Sequence, residues 1–315
     1  DGTAPNVTIN VPANTTYGWN NVSMDFNVSL SDNGSVMFSL DDGTTNYTMD
    51  STDNQNFNYT NSSMIDGSYT FQVYANDTLG NKNYTESNVF TVNNSLVYDC
   101  GTLSEAGRTY YLQNDVSTTG DCFTITADSI TFDGGDYNID GDDGLGDYGL
   151  NATEVAGLTL KNLNITDFDS GIYLDGVNDS VVKDNWINSL YISSGIYLTN
   201  SENNTIKNNT IFDSFASAAD GIALSASSLN NVSGNNIFDS LNEGIYLSGS
   251  SANNTFESNI ITDISSYGIF SDGDEDNYNV IQDNNLTNTR EIHVKGNYVK
   301  IYRNRIENSK FEGIS

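Results

Sequence analysis

The chain has 315 residues, with 11 Lys and Arg against 42 Asp and Glu, a formal charge of −31. That balance excludes nucleic acid, which needs a basic footprint, and docking on anionic lipid. No apolar run of ~18 residues is present to span a membrane; the acidity suits either a solvated, salt-tolerant surface or divalent cations.

Residues 1–95 read as an all-β domain. Val7, Ile9 and Val11 alternate and end at Pro12, and Val22, Met24, Phe26, Val28 and Leu30 form an unbroken period-two run. Turn signals at Asp32-Asn33-Gly34 and Asp41-Asp42-Gly43 bracket Val36, Phe38 and Leu40. Strands at Phe57–Tyr59, Tyr69–Ala75 and Val89–Val92 complete about seven, the number of an immunoglobulin-like β-sandwich. The segments Ala4–Ala13 and Asp66–Asn81 resemble the immunoglobulin-like modules of prokaryotic, especially archaeal, surface proteins. Such modules act as spacers or adhesive units. The connector 93–99 is short and apolar (Leu96, Val97, Tyr98), so a fixed angle between the domains is expected.

Residues 96–315 read as a second domain, which carries a repeat from about Leu160 to the end. Val182, Asn185, Ile187 returns as Ile206, Asn209, Ile211; Val232, Asn235, Ile237; Phe256, Asn259, Ile261; Ile281, Asn284, Leu286; and Ile301, Asn304, Ile306. Between copies stands Gly-Ile-x-Leu or a relative of it, at Gly171, Gly195, Gly221, Gly244 and Gly268. A period of about 20–26 residues signals a solenoid. Alternating apolar residues separated by Gly and Asn mean short strands and turns, and no helical stripe is present. The expected fold is a right-handed parallel β-helix with Ile and Leu in its bore and the recurrent Asn stacked along the axis. The stretches Asp99–Leu103, Tyr110–Val116, Cys122–Thr126, Ile130–Gly134 and Ala156–Ile165 resemble the opening coils of right-handed β-helix proteins, of NosD type and with pectin-lyase-like repeats. That resemblance implies the fold and a kinship with carbohydrate-binding and sugar-hydrolase domains, without fixing an activity.

Cys100 and Cys122 lie 22 positions apart, about one coil, and a disulfide between them implies an oxidising compartment. Asn-x-Ser/Thr sequons at Asn6, Asn14, Asn21, Asn27, Asn33, Asn46, Asn58, Asn61, Asn76, Asn83, Asn93, Asn151, Asn178, Asn203, Asn253 and Asn285 suit N-linked glycans on a secreted, cell-surface protein. The abrupt start and the stop within a repeat at Gly313-Ile314-Ser315 fit a mature fragment of a longer protein.

Two acidic loops are candidate Ca²⁺ sites: Asp140, Asp142, Asp143 and Asp147, and Asp272, Asp274, Glu275 and Asp276. Solvated acidic turns are the alternative. A hydrolase needs carboxylates on one face of adjacent coils, and Asp167, Asp169, Asp213, Asp239 and Asp263 recur after the Ile or Leu strand. A periodic Asp in a repeat turn reads more simply as a turn residue. A lyase would need a basic residue beside its cation, whereas Arg290, Lys295, Lys300, Arg303, Arg305 and Lys310 cluster at one end. The expectation is therefore a non-enzymatic structural protein. Its basic end would dock head-to-tail on the acidic body of another copy, building a filament, appendage or surface layer. An adhesin that binds surface polysaccharide through the column Tyr173, Tyr197 and Tyr246 is the alternative, with a polysaccharide lyase or hydrolase behind it.

Overall fold

The computed structural model describes residues 2–18, 23–190, 193–212, 219–239 and 242–309. Asn21, Val22, Asp213, Lys310 and Gly313-Ile314-Ser315 therefore lie outside the described residues. The described residues are all-β, and the chain divides into units of 1–97 and 98–315.

The first unit contains two largely antiparallel sheets. One orders Val7–Val11, Met24–Leu30, Asn56–Asn61 and Asp50–Ser51. The other orders Thr16–Tyr17, Ser87–Val92, Gly67–Asp77, Gly34–Ser39 and Tyr47–Thr48, with Lys82–Asn83 beside Gly67–Asp77. Strict alternation in Met24–Leu30 buries Met24, Phe26, Val28 and Leu30 and turns Asp25 and Asn27 away from the core. Phe26 lies 5.0 Å from both Phe38 and Phe71 of the facing sheet, which closes the sandwich core. Four of the strands have only two residues, too short to show alternation, so the sequence did not reveal them.

The second unit is a parallel β-helix whose coils each pass through three sheets. The first sheet runs from Thr109–Leu112 to Lys300–Tyr302, the second from Gly101–Leu103 to Arg290–Val294, and the third from Val116–Ser117 to Arg305–Glu307. Register keeps like over like. Val182, Ile206, Val232, Phe256, Ile281 and Ile301 form the inward column of the first sheet. Ile172, Ile196, Ile222, Ile245, Ile269 and Ile292 form that of the second. All except the terminal Ile301 are buried.

Two polar ladders hold the corners. The expected one runs Asn185, Asn209, Asn235, Asn259, Asn284 and Asn304, each Nδ2 donating to the next Oδ1 at 2.9–3.0 Å. A second, unforeseen, links Asn204, Asn230 and Asn254 at 3.1–3.2 Å, with Asn254 N–H donating to Asn279. Each ladder Asn also donates to a main-chain carbonyl, as Asn235 does to Ile206 at 2.9 Å, so the buried amides are satisfied. The residue before each Asn is left-handed, as at Asp184, Asn208 and Gly234 (φ +56°, +55° and +65°). Short polar residues and Gly take that conformation at least cost, which explains the Asp-Asn, Asn-Asn and Gly-Asn pairs in the repeat. The recurrent Gly of Gly-Ile-x-Leu has a different cause. A Cβ at Gly221 would stand 2.6 Å from the Gly244 carbonyl and 2.4 Å from Ile237 Cγ2, so the coil corner closes only without a side chain.

Candidate active site on the second sheet

Outward residues of the second sheet also stack by register. One column runs Asn151, Tyr173, Tyr197, Ala223, Tyr246, Phe270 and His293. Its rings touch: Tyr173 lies 5.6 Å from Tyr197, Tyr246 lies 5.9 Å from Phe270 in a stacked arrangement, and Phe270 lies 5.3 Å from His293. Tyr148, from the neighbouring column, stacks on Tyr173 at 4.7 Å. The expected alignment of Tyr173, Tyr197 and Tyr246 opposite the bore is therefore present. Between Tyr197 and Tyr246 the column falls to Ala223. There a cavity of about 200 Å³ opens, lined by Ser193, Ser194, Tyr197, Asp220, Ala223, Tyr246 and Ser248.

Asp220 stands beside this gap, and Glu243 stands one coil on. Both are buried, at 8% exposure. They immediately precede Gly221 and Gly244, so the repeat register puts them in one column, and their side chains are hydrogen-bonded to each other. Asp220 Oδ1 accepts from Asn242 Nδ2 at 2.7 Å and from Glu243 N–H at 3.1 Å, while Ser266 Oγ donates to Glu243 Oε1 at 3.0 Å. Burial raises the Asp220 pKa far above the ordinary carboxylate range, and the bond and charge of Glu243 raise it further; the donors Glu243 N–H and Asn242 only partly oppose this. A carboxyl in a dry place beside a second acid resists losing its proton. Asp220 faces the cavity and Glu243 is not part of its lining. Tyr246 donates its hydroxyl to Asp272 Oδ2 at 3.0 Å, and burial with that bond pushes its phenol up to about 12.

The proposed Asp column after the strands lies elsewhere. Asp239 and Asp263 are left-handed residues just past their strands, Asp167 is a left-handed residue within the strand Asn164–Phe168, and Asp169 Oδ2 accepts from Gly146 N–H at 3.0 Å. They serve the backbone's path rather than form a reacting set. The pair that converges was overlooked because it sits before Gly-Ile, not after the strand. Its signal was present: the residue before each Gly is Ser170, Ser194, Asp220, Glu243 and Tyr267, with acids in two consecutive coils.

Among the described residues no group of three or more His, Cys, Asp or Glu is arranged to hold a metal ion. In the first acidic loop, Asp140 accepts from Thr166 Oγ1 at 2.6 Å and Asp142 from Gly144 N–H at 3.2 Å. Burial and the surrounding Asp167, Asp142, Asp140 and Asp147 raise Asp143. Asp147 is buried, with Oδ1 on Asp169 N–H and Oδ2 without a hydrogen-bond partner among protein atoms. In the second loop Asp272 holds Tyr246, Asp274 is exposed, and Glu275 accepts from Ser250 at 2.8 Å. Asp276 is fully buried and caps an internal serine ladder: Ser251 accepts from Ser227 N–H, and Asp276 accepts from Ser251 N–H at 2.7 Å and Ser271 Oγ at 2.6 Å.

Cys100 and Cys122 form the expected disulfide, S–S 2.06 Å, between adjacent coils. None of the described sequon asparagines is buried, and Asn6, Asn14, Asn33, Asn46, Asn58, Asn203 and Asn253 are exposed. At the basic end Arg303 bonds Asp283 of the preceding coil at 2.6–2.7 Å, Arg305 pairs with Glu307, and Arg290 lies over the Tyr267 ring at 5.7 Å. Lys295 and Lys300 lie in the same last coil, Lys300 opening its strand. No helix of the described residues is long and apolar enough to cross a membrane.

No curated protein matches the chain. Among solved structures it is similar to DFA-IIIase from Arthrobacter chlorophenolicus A6 without its lid, at 13% identity and a TM-score of 0.50, covering 70% of this chain and 62% of that one. The same enzyme in complex with GF2 matches at 14% identity and a TM-score of 0.45, over 69% and 57% of the two chains. The periplasmic alginate epimerase AlgG matches at 14% identity and a TM-score of 0.43, over 64% and 60%. The chain thus spans about three fifths of the length of these structures, and at such identity the likeness concerns the fold. It corrects one expectation all the same. A non-enzymatic chain is expected from Asp residues that resemble turn residues; yet the solved structure that it matches at a TM-score of 0.50 is that of an enzyme, DFA-IIIase, and the second sheet carries an acid pair at a cavity. The family described as right handed beta helix region matches residues 96–219 and 148–306, two thirds of the sequence, and the chain belongs to it.

Proposed function

We propose that the protein is a carbohydrate-active enzyme that cleaves a glycan by proton transfer through Asp220. The observation that carries this reading is the Asp220 carboxyl, kept protonated by burial and by Glu243, opening onto the cavity where the aromatic column drops to Ala223. Aromatic faces bind sugar rings while neighbouring polar groups bind hydroxyls. Two carboxyls that flank a sugar for a conventional two-residue mechanism stand roughly 5–9.5 Å apart. Asp220 and Glu243 are hydrogen-bonded to each other, closer than that, so they act as one unit. Asp220 gives its proton to the glycosidic oxygen as the C–O bond breaks, and water adds to the anomeric carbon and returns a proton to the carboxylate. Glu243 is a positioning residue that keeps Asp220 protonated.

The test is turnover. Asp220→Asn should abolish release of reducing ends from a glycan panel while binding persists, and a fully active D220N would end the proposal. The column alone would also serve a sugar-binding adhesin, which D220N would leave untouched. Self-assembly through the basic end gains no support here, because Arg303 and Arg305 already pair with carboxylates of their own chain. The Cys100–Cys122 disulfide supports an extracytoplasmic location.

A further inference from the structure

The geometry points to a more specific substrate: a linear, uncharged glycan bound along the helix axis and cut at an internal unit seated over Ala223. This inference rests on the acid–base role of Asp220. From Tyr173 to Phe270 the aromatic column crosses five coils, about 19 Å at the spacing of adjacent strands. Rings are present on both sides of the gap: Tyr173 and Tyr197 before it, Tyr246 and Phe270 after it. The column therefore offers subsites to both sides of the acid, which suits a cut within a chain rather than at its end. Ala223 is the specificity-determining position, since Tyr stands at the equivalent place in the coils immediately before and after it. Its missing ring makes the only break in the run from Tyr173 to His293, and one sugar can sink there to Asp220.

Charge selects against acidic polysaccharide. Asp121 holds the Tyr148 N–H at 3.0 Å, Asp169 lies one coil on, Asp175 follows Tyr173 on the same face, and Asp272 holds Tyr246. With the Asp220–Glu243 pair, carboxylates border the column along its whole length. Among the described residues, cations in register with these columns come only at Arg290 and Lys295, both in the last coil, two coils beyond Glu243. Carboxylates instead suit the hydroxyls of a neutral sugar, which donate to them.

The experiment uses the full chain with neutral cello-, manno-, xylo- and fructo-oligosaccharides from dimer to octamer, and oligogalacturonates of the same lengths. We expect kcat/KM to rise with length on a neutral series, with internal cuts in the octamer, and to be at least about tenfold lower on the uronates. Ala223→Tyr restores the residue of the neighbouring coils, so it should fold; it should lose turnover about 100-fold or more while retaining octamer affinity. Tyr173→Ala should raise KM for the octamer and spare kcat. Equal or faster turnover of oligogalacturonates, or full activity of A223Y, would overturn the inference while leaving Asp220 as the acid. Should no glycan be turned over, affinity electrophoresis in gels of neutral or uronic polysaccharide decides: retention by the neutral gels and its loss in a Tyr173→Ala, Tyr246→Ala double variant supports the site, and absence of retention overturns it. An active D220N variant would instead remove the underlying acid–base reading.

Discussion

Replacing Glu243 by Gln isolates what the carboxyl pair does. Burial is the larger reason that Asp220 holds its proton, and the Glu243 bond and charge come next. The Gln side chain keeps the volume and a bond to Ser266 but carries no charge, so the burial contribution survives and the like-charge contribution goes. One pKa unit corresponds to ~1.4 kcal/mol, about the size of a charge-assisted bond in a part-dry site. Because the acid must be protonated to act, turnover falls as pH rises through the Asp220 pKa, and E243Q should move this alkaline limb down by roughly one unit. Below the Asp220 pKa, Asp220→Asn should cost roughly 10²–10⁴-fold, and the difference should narrow above it. Stability gives an independent reading with a definite sign. The folded pKa lies above the unfolded one, so the contribution is complete below the ordinary carboxylate range and is lost as pH rises through the folded value. D220N should flatten that decline in Tm. The measurements are a pH–kcat/KM profile on the best glycan and a pH series of thermal melts. An alkaline limb that stays put or moves up in E243Q, with a wild-type Tm slope in D220N, would refute the raised Asp220 pKa and the part of Glu243 in it.

Other consequences follow from the scaffold. Asn235 makes bonds to Ile206 O, Asn259 Oδ1, Asn209 N–H and Asn209 Nδ2, all at 2.9–3.0 Å. Asn235→Ala should cost about 3 kcal/mol in urea unfolding, against ~1 for the part-exposed Asn304→Ala. Gly221→Ala places its Cβ against the Gly244 carbonyl and should cost about 1–3 kcal/mol or more, seen as a lower melting temperature. Reducing the disulfide removes a constraint across 22 residues and should cost about 3 kcal/mol, with hydrogen exchange rising first in the coils around Cys100 and Cys122.

Fold and site were unequally legible in the sequence. The β-helix was plain because its inward positions are each held by a packing rule: Ile and Leu fill the bore, Asn stacks, and Gly lets the corner close. The second Asn ladder escaped notice although Asn204, Asn230, Asn254 and Asn279 each stand two residues before an inward apolar residue, as the first ladder does. Asp276 misled in the opposite direction. In sequence it belongs to an acidic run that resembles a cation loop, yet its carboxylate replaces a serine hydroxyl inside the protein. Burial, which decides between the two roles, depends on a register that spacing alone does not reveal.

The active-site candidate illustrates how a repeat protein separates stability from chemistry. Inward columns must repeat, since each coil is packed by its neighbours and an odd residue costs packing or a hydrogen bond. Outward columns are free of that requirement, so repetition there, as in the Tyr column, needs a reason beyond folding. An interruption of such a column needs one too. Ala223 interrupts the aromatic run at the coil where the residue before Gly turns from Ser to Asp, and the next coil supplies Glu in the same register. Two independent columns thus depart from their pattern at one height on one face. A solvated acidic turn does not require the neighbouring ring to be absent; a bound sugar beside its acid requires both.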